Sequence, residues 1–292
     1  LYIQYLTLVL SLAEKEGKYM NKKAIKINVS LIIGIIIVGI ALIMALFPSM
    51  FTNYDPEAID ATAMLAPPSA EHIFGTDNYG RDIFARVIYS ARIDLLIGVG
   101  AMIIPFFVGT ALGIISGYYG GKVDAFLMRV LDIFMAFPYM VLAIAIVAIT
   151  GAGIKALFIS MWLVGWKEYT RLVRSEVLVV KNSEYVEAAK VLGYNDLRII
   201  VRSIIPNVLS SAIVYGASDI VMCMMSGAAM SYLGLGVQSP TPEWGAIISG
   251  GKAFLSIAWW ITIFPGIFLV VTGLGFSLIG DGLSDKLRQK GR

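Results

Sequence analysis

Long uninterrupted apolar runs are the feature that most limits what this chain can fold into. The stretches 31–47 and 95–115 contain no charged residue at all. A helix needs about 20 apolar residues to cross the ~30 Å hydrocarbon core of a bilayer. Six segments meet this requirement, namely 28–48, 94–116, 129–149, 153–170, 208–230 and 257–280. The sequence therefore predicts an all-α polytopic membrane protein with six transmembrane helices.

The composition supports a bilayer environment and excludes several kinds of site. Hydrophobic residues make up 58% of the chain and charged residues only 15%, whereas soluble domains carry about 25% charged residues. His72 and Cys223 are the only residues of their types, so neither an internal disulfide nor a Cys/His metal site is expected. A membrane-embedded enzyme would need a nucleophile–base or metal constellation, which the sequence does not offer.

The placement of lysine and arginine orients the helices, because cytoplasmic loops of membrane proteins are enriched in these residues. With the N-terminus in the cytoplasm, 18 of the 23 Lys and Arg residues fall in the predicted inside segments. The five on the outside are Arg81, Arg86, Arg92, Lys155 and Lys252. Both termini are therefore predicted to be cytoplasmic.

The predicted helices divide the chain into five parts. These are a cytoplasmic N-terminal segment (1–27), the first transmembrane helix (28–48), an external loop (49–93), a transmembrane core (94–281) and a cytoplasmic tail (282–292). Met20 opens a basic stretch and is the expected natural start, so residues 1–19 are interpreted as non-native.

The inside loop between the fourth and fifth predicted helices has a pattern typical of a short helical pair. Ser183 is suited to cap a helix, and Glu184 and Glu187 favour the positive end of that helix. Apolar residues then recur at helical spacing, at Tyr185, Val186, Ala189 and Leu192.

The end of this helix and the start of the next are also marked in the sequence. Gly193 can supply the left-handed residue that ends a helix. A second short helix is predicted over 195–205, and Pro206 then marks the start of the fifth span. The loop is therefore predicted to form a helix–turn–helix across the cytoplasmic face.

This loop resembles the EAA loop of ABC importer permeases. The matching residues are Glu187, Ala188 and Ala189, followed at the family's spacing by Gly193 and Pro206. The resemblance implies that loop 183–206 forms a coupling helix that docks in a cleft of an ATP-binding subunit. Those five residues would then be the ATPase-coupling residues, and 94–281 the transmembrane core of a type I ABC importer.

Further blocks resemble the C-type permease subunits of dipeptide, oligopeptide and nickel importers. They are the external stretch 75–82, the stretches 232–236 and 240–245, and the stretches 264–266 and 280–283. The sequence departs from the family pattern at Ser203, at Gly227 and at Arg288-Gln289. These departures leave the branch of substrate open, with peptides favoured and nickel or another metal chelate as the alternative.

The resemblance also implies an assembly in the bacterial cell membrane. The chain would be a non-catalytic subunit that pairs with a homologous permease, two ATP-binding subunits and an extracytoplasmic solute-binding protein. ATP and Mg²⁺ would belong to the ATP-binding subunits. The glycine-rich stretch 117–123 is no phosphate loop, because Ser116 and Val123 stand where that motif requires Gly and Ser or Thr.

Two carboxylates lie inside predicted spans, where an ionisable residue is a candidate for function. Asp219 lies near mid-span and is a candidate for lining the transport pathway. Asp132 is a second candidate, although its place near the cytoplasmic end also suits a structural role. A secondary transporter is a distant alternative, because such proteins use ionisable residues in several spans.

Overall fold

A computed structural model describes residues 29–290, with side chains to residue 287. The predicted segment 1–27, with its Met20 start, lies outside the described residues. The helices are α1 (Val29–Leu46), α2 (Ile83–Tyr119), α3 (Gly121–Met135), α4 (Tyr139–Thr150), α5 (Ile154–Val180), α6 (Glu184–Val191), α7 (Asp196–Ile199), α8 (Ile205–Tyr232), α9 (Trp244–Gly251) and α10 (Trp260–Lys290). The described residues contain no β-strand, so the predicted all-α class is confirmed.

Four helical segments are long and apolar enough to cross a membrane. They are α1, α2, the continuous helix Asp196–Tyr232 and Trp260–Leu287 within α10. Their number rises to five if the bent pair α3 and α4 forms one broken span. The length and composition of these helices support a multi-pass membrane protein.

The third predicted span, 129–149, is not one straight helix. α3 and α4 meet at an angle of 83° across a break of three residues. Pro138 lies immediately before α4 and has no N–H with which to continue α3. Its ring also disfavours helical backbone at the preceding residue, Phe137. Hydropathy alone did not predict this break, because a single proline hardly changes the mean hydropathy of an apolar segment.

The fourth predicted span, 153–170, corresponds to α5, which continues ten residues further to Val180. This helix falls outside the group that is apolar enough to span, because charged residues occur along it. One of them, Lys167, is buried and donates a hydrogen bond of 3.4 Å to the carbonyl oxygen of Phe134 at the end of α3. This contact supplies a partner for a carbonyl group next to the break.

The loop predicted to be external, 49–93, ends earlier than predicted, because α2 begins at Ile83. Asp82 caps this helix, since its Oδ1 accepts a hydrogen bond of 2.7 Å from the backbone N–H of Ala85. The same carboxylate pairs with Nδ1 of His72 at 2.9 Å. At the other end of the chain, α10 extends through the predicted core boundary at 281 to Lys290.

α2 and α5 pack closely along the half of the bundle that lies next to the segment 183–206. A Cβ atom at Gly113 would lie 2.8 Å from the carbonyl oxygen of Thr170, and one at Gly117 would lie 2.8 Å from Cβ of Val177. Small residues at such positions let two helix backbones approach each other. The segment 183–206 packs against this pair of helices.

Candidate functional site

The segment between α5 and α8, which the sequence predicts to be cytoplasmic, begins with the short helix α6. Ser183 occupies the N-cap of α6 as predicted, with extended backbone. Its side chain does not cap the helix, however, because Ser183 Oγ donates a hydrogen bond of 2.6 Å back to the carbonyl oxygen of Val180. The first turn is instead favoured by the carboxylates of Glu184 and Glu187 at the positive end of the helix dipole.

Gly193 ends α6 as the sequence predicts. Its φ of +78° lies in the left-handed region. The N–H of Gly193 donates to the carbonyl of Lys190 at 2.9 Å, and the N–H of Tyr194 donates to that of Ala189 at 3.1 Å. This pair of bonds is the Schellman arrangement, which satisfies carbonyls left free at a helix end.

The predicted second helix, 195–205, is not separate from the fifth span. α7 begins after Asn195, whose Oδ1 accepts a hydrogen bond of 2.9 Å from the N–H of Arg198. It continues through the π-helical stretch Ile200–Ile204 directly into α8. Pro206 therefore lies within a continuous helix and does not mark its start. A wider π-turn just before a proline accommodates a ring that an α-turn would exclude.

The inner face of this segment is anchored in the core of the bundle. Val186, Ala189 and Ile199 are buried, and they cluster with Val173 and Val177 of α5. The predicted stripe of four apolar residues on α6 is therefore wrong in two of its members. Tyr185 is 50% exposed and Leu192 is 71% exposed.

Polar contacts brace the same segment against α2. Tyr118 Oη donates a hydrogen bond of 2.8 Å to Asp196, and Lys181 Nζ donates one of 2.7 Å to the carbonyl oxygen of Gly117. Nearby, Arg174 donates two hydrogen bonds of 2.6 and 2.7 Å to the carboxylate of Asp124. The segment is thus joined to the ends of α2 and α5.

The outer face of the segment combines acidic and apolar groups. Glu187 and Ala188 are exposed, whereas Ala189 is buried, so only one of the two predicted alanines reaches this surface. Val191 and Leu197 are 89% and 70% exposed. Contiguous exposed apolar residues mark an interaction site. Together with Leu192, these residues form what we call the coupling surface: Glu187, Ala188, Val191, Leu192 and Leu197.

Sequence reasoning missed Val191 and Leu197 as members of this surface. A signal for them exists, because Val191 lies five residues after the buried Val186 and Leu197 follows the cap residue Asn195 by two. Neither position continues the inward-facing helical spacing. Val191 faces outward because of its position on α6, and Leu197 lies beyond the turn at Gly193.

Asp219 lies beside a cavity of about 250 Å³ between α5 and α8. Its carboxylate accepts a hydrogen bond of 2.9 Å from Tyr169 Oη. Lys167 and Glu168 also line the cavity, although neither was among the predicted pathway residues. Asp132 is exposed near the end of α3 and does not line it. The structure thus places the two predicted carboxylates apart.

Comparison with known proteins is consistent with this architecture. Residues 109–290 match the family described as "Binding-protein-dependent transport system inner membrane component". The chain is 41% identical to the dipeptide transport system permease protein DppC of Alkalihalophilus pseudofirmus, over 92% of this chain and 88% of that protein. It is 38% identical to the oligopeptide transport system permease protein OppC of Bacillus subtilis, over 88% of this chain and 85% of that protein.

A solved structure shares the fold. An inward-facing structure of the MetNI methionine ABC transporter superposes with a TM-score of 0.56 at 15% identity, covering 67% of this chain and 93% of that chain. The predicted fold class, the transmembrane domain of a type I ABC importer, is confirmed. The chain belongs to the inner membrane component family of binding-protein-dependent transport systems.

Proposed function

We propose that the chain is a permease subunit of an ATP-driven peptide importer and forms half of its translocation pathway. The observation that carries the proposal is the coupling surface, which is exposed on one side and fixed to α2 and α5 on the other. Such a segment can transmit a push from a partner to the membrane helices as a rigid body. The peptide cargo is supported by the relatives, which are named for dipeptides and oligopeptides.

In this proposal the coupling residues have different tasks. Glu187 offers charge-assisted hydrogen bonds to an ATP-binding subunit, and Ala188 allows the close approach of that subunit's cleft. Ala189 packs inward, Gly193 sets the turn, and Pro206 follows the π-helical stretch of the long helix. Asp219 and its cavity would lie on the pathway, and Asp132 would line the pathway only if a partner chain packs beside it.

The chain would work within an assembly whose members divide the chemistry. A homologous permease would supply the other half of the pathway, and two ATP-binding subunits would bind ATP and Mg²⁺. An extracytoplasmic solute-binding protein would deliver the cargo, and both termini of this chain would be cytoplasmic. Closure of the ATP-binding pair would move the two coupling surfaces together and open the pathway outward.

Uptake in a deletion strain tests the cargo. Cells that lack the chain and cells complemented with it would be given a radiolabelled dipeptide or ⁶³Ni²⁺ in parallel. Complementation is expected to restore dipeptide uptake and leave nickel uptake at the level of the deletion strain. Restoration of nickel uptake alone would replace the proposed peptide cargo by a metal chelate.

A further inference from the structure

The two external sequence blocks, 75–82 and 240–245, come together in the fold although more than 150 residues separate them. Trp260 Nε1 donates a hydrogen bond of 3.0 Å to the carbonyl oxygen of Thr76. Trp244, in the second block, donates through Nε1 to the carbonyl oxygen of Val87 at 3.0 Å. Arg86 Nη1 reaches the carbonyl oxygens of Pro56 at 2.9 Å and Pro240 at 3.4 Å. The external loops thus form one structure at the outer end of α2.

A cavity of about 270 Å³ opens within this structure. Its wall includes Asp77 and Arg81 of the first block and Thr241 of the second. Arg86 of α2 and one face of α9, with Ala246 and Gly250, complete it. Two of these side chains are arginines that are at least nine-tenths buried, since Arg81 is 8% exposed and Arg86 is 3% exposed. Buried arginines normally have a full set of anionic or carbonyl partners.

The two arginines share a single carboxylate. Asp77 Oδ2 lies 2.7 Å from Nε of Arg81 and 3.9 Å from Nε of Arg86. The first distance is a hydrogen bond and the second is too long for one. Within the described residues Nε of Arg86 has no hydrogen-bond partner. Glu57 also attracts Arg86 electrostatically, but its side chain is exposed to solvent.

The lining of the cavity therefore carries two buried positive charges and one negative charge. A guanidinium group binds a carboxylate through two parallel N–H···O bonds, and such bonds gain strength when they are shielded from water. We propose that this cavity is a binding site for a carboxylate group, with Arg86 as its principal ligand and Arg81 beside it. The carboxylate could be the C-terminus of a peptide or an acidic side chain presented by an external protein.

Calorimetric titration of the full chain in lipid nanodiscs tests the site with two probes. N-acetyldialanine carries only a terminal carboxylate, and N-acetylglutamic acid α-amide carries only a side-chain carboxylate. The neutral controls are N-acetyldialanine amide and N-acetylglutamine amide. At least one acidic probe is expected to bind, and its neutral control is expected to bind at least about tenfold more weakly. The probe that binds identifies the source of the carboxylate, and binding of neither contradicts the proposal.

Variants assign the binding to this cavity. Arg86→Gln is expected to weaken probe binding by about tenfold or more, whereas Arg92→Gln, at an exposed position of the same helix, is expected to leave it unchanged. Equal binding by wild type and Arg86→Gln would overturn the assignment.

A second pair of variants covers the event that Arg86→Gln fails to fold. A Cβ atom at Gly250 would meet nothing within 4 Å, so a side chain fits there. Gly250→Glu places a tethered carboxylate at the wall of the cavity and is expected to compete with the probe. Gly250→Gln is the matched neutral variant and is expected to reduce binding less. If both variants bind the probe as wild type does, the site is not in this cavity. The titration involves no transport, so its outcome is independent of the proposed cargo.

Discussion

Tyr118, the penultimate residue of α2, donates a hydrogen bond of 2.8 Å to Asp196, the first residue of α7. This bond joins residues that are 78 positions apart and connects a membrane helix to the residue that precedes Leu197 of the coupling surface. The proposed mechanism requires a rigid link of this kind, because a flexible segment would absorb the movement of an ATP-binding subunit without transmitting it.

Removing that link is expected to uncouple ATP hydrolysis from transport. Tyr118→Phe deletes only the hydroxyl group, and the loss of one exposed hydrogen bond costs at most about 1 kcal/mol of stability. In proteoliposomes of the assembled transporter, the variant should hydrolyse ATP but import less peptide per ATP hydrolysed. Tyr119→Phe is the control, and an unchanged ratio in Tyr118→Phe would remove Tyr118 from the coupling path.

The turn at Gly193 is expected to tolerate asparagine better than valine. No neighbouring atom restricts a side chain at this position, so the penalty comes from its φ of +78° alone. That backbone costs most side chains about 1–2 kcal/mol, and Asn accepts it more readily than a β-branched residue. Peptide uptake should follow the order Gly, Asn, Val, with all three chains inserted equally in the membrane. Full uptake by Gly193→Val would show that the turn geometry is not required.

Glu243 is expected to make the protein less stable as the pH rises. This residue caps α9 and is fully buried, and burial raises the pKa of its carboxyl group above the ordinary value. Because the pKa of Glu243 is raised in the folded state, its contribution to the free energy of unfolding is complete below the unfolded pKa of about 4.3. The contribution is lost as the pH rises through the folded pKa.

Thermal unfolding of Glu243→Gln between pH 5 and pH 9, a range of roughly two units on either side of neutrality, measures this effect. The two carboxylate oxygens now accept from the N–H groups of Gly245 and Ala246 at 3.0 and 2.7 Å, and the amide keeps one of these acceptors without a group that ionises. The variant should therefore lose less stability than wild type on going to high pH. Parallel curves for the two proteins would show that Glu243 does not titrate in this range.

Asp219 is expected to face an aqueous cavity. With Cys223 replaced by serine, Asp219→Cys should react with a membrane-impermeant charged thiol reagent in the assembled transporter. Ile220→Cys is the control, because the adjacent Ile220 is only 9% exposed and packs in the core. Equal protection of both cysteines would contradict a pathway role for Asp219.

The sequence predicted the elements that depend on local chemistry. The turn at Gly193 follows from one glycine, and the spans α1 and α10 follow from apolar runs. Predictions that depend on tertiary contacts were less accurate. The outward placement of Leu192 depends on how this segment packs against α2 and α5, whereas the break at Pro138 has a local cause that the hydropathy of the span does not reveal.

In the candidate site, too, features set by the local sequence were predicted and features set by tertiary contacts were not. Glu187 and Ala188 were predicted from the resemblance to the EAA loop, whereas Val191 joins the coupling surface through its position on α6 and Leu197 through its position after the turn at Gly193. Arg86 and Asp77 are close only when the external loops have folded. Spacing along the chain does not encode such proximity.

Co-purification with the ATP-binding subunits tests the central claim most directly. Glu187→Lys reverses the charge of the coupling surface, and Ala188→Pro breaks α6. Val179→Lys, at a 73% exposed position of α5 outside that surface, is the control. The account predicts that the first two variants insert in the membrane but lose both the ATP-binding subunits and peptide uptake, while the control retains them. Normal co-purification and uptake by both coupling variants would contradict it.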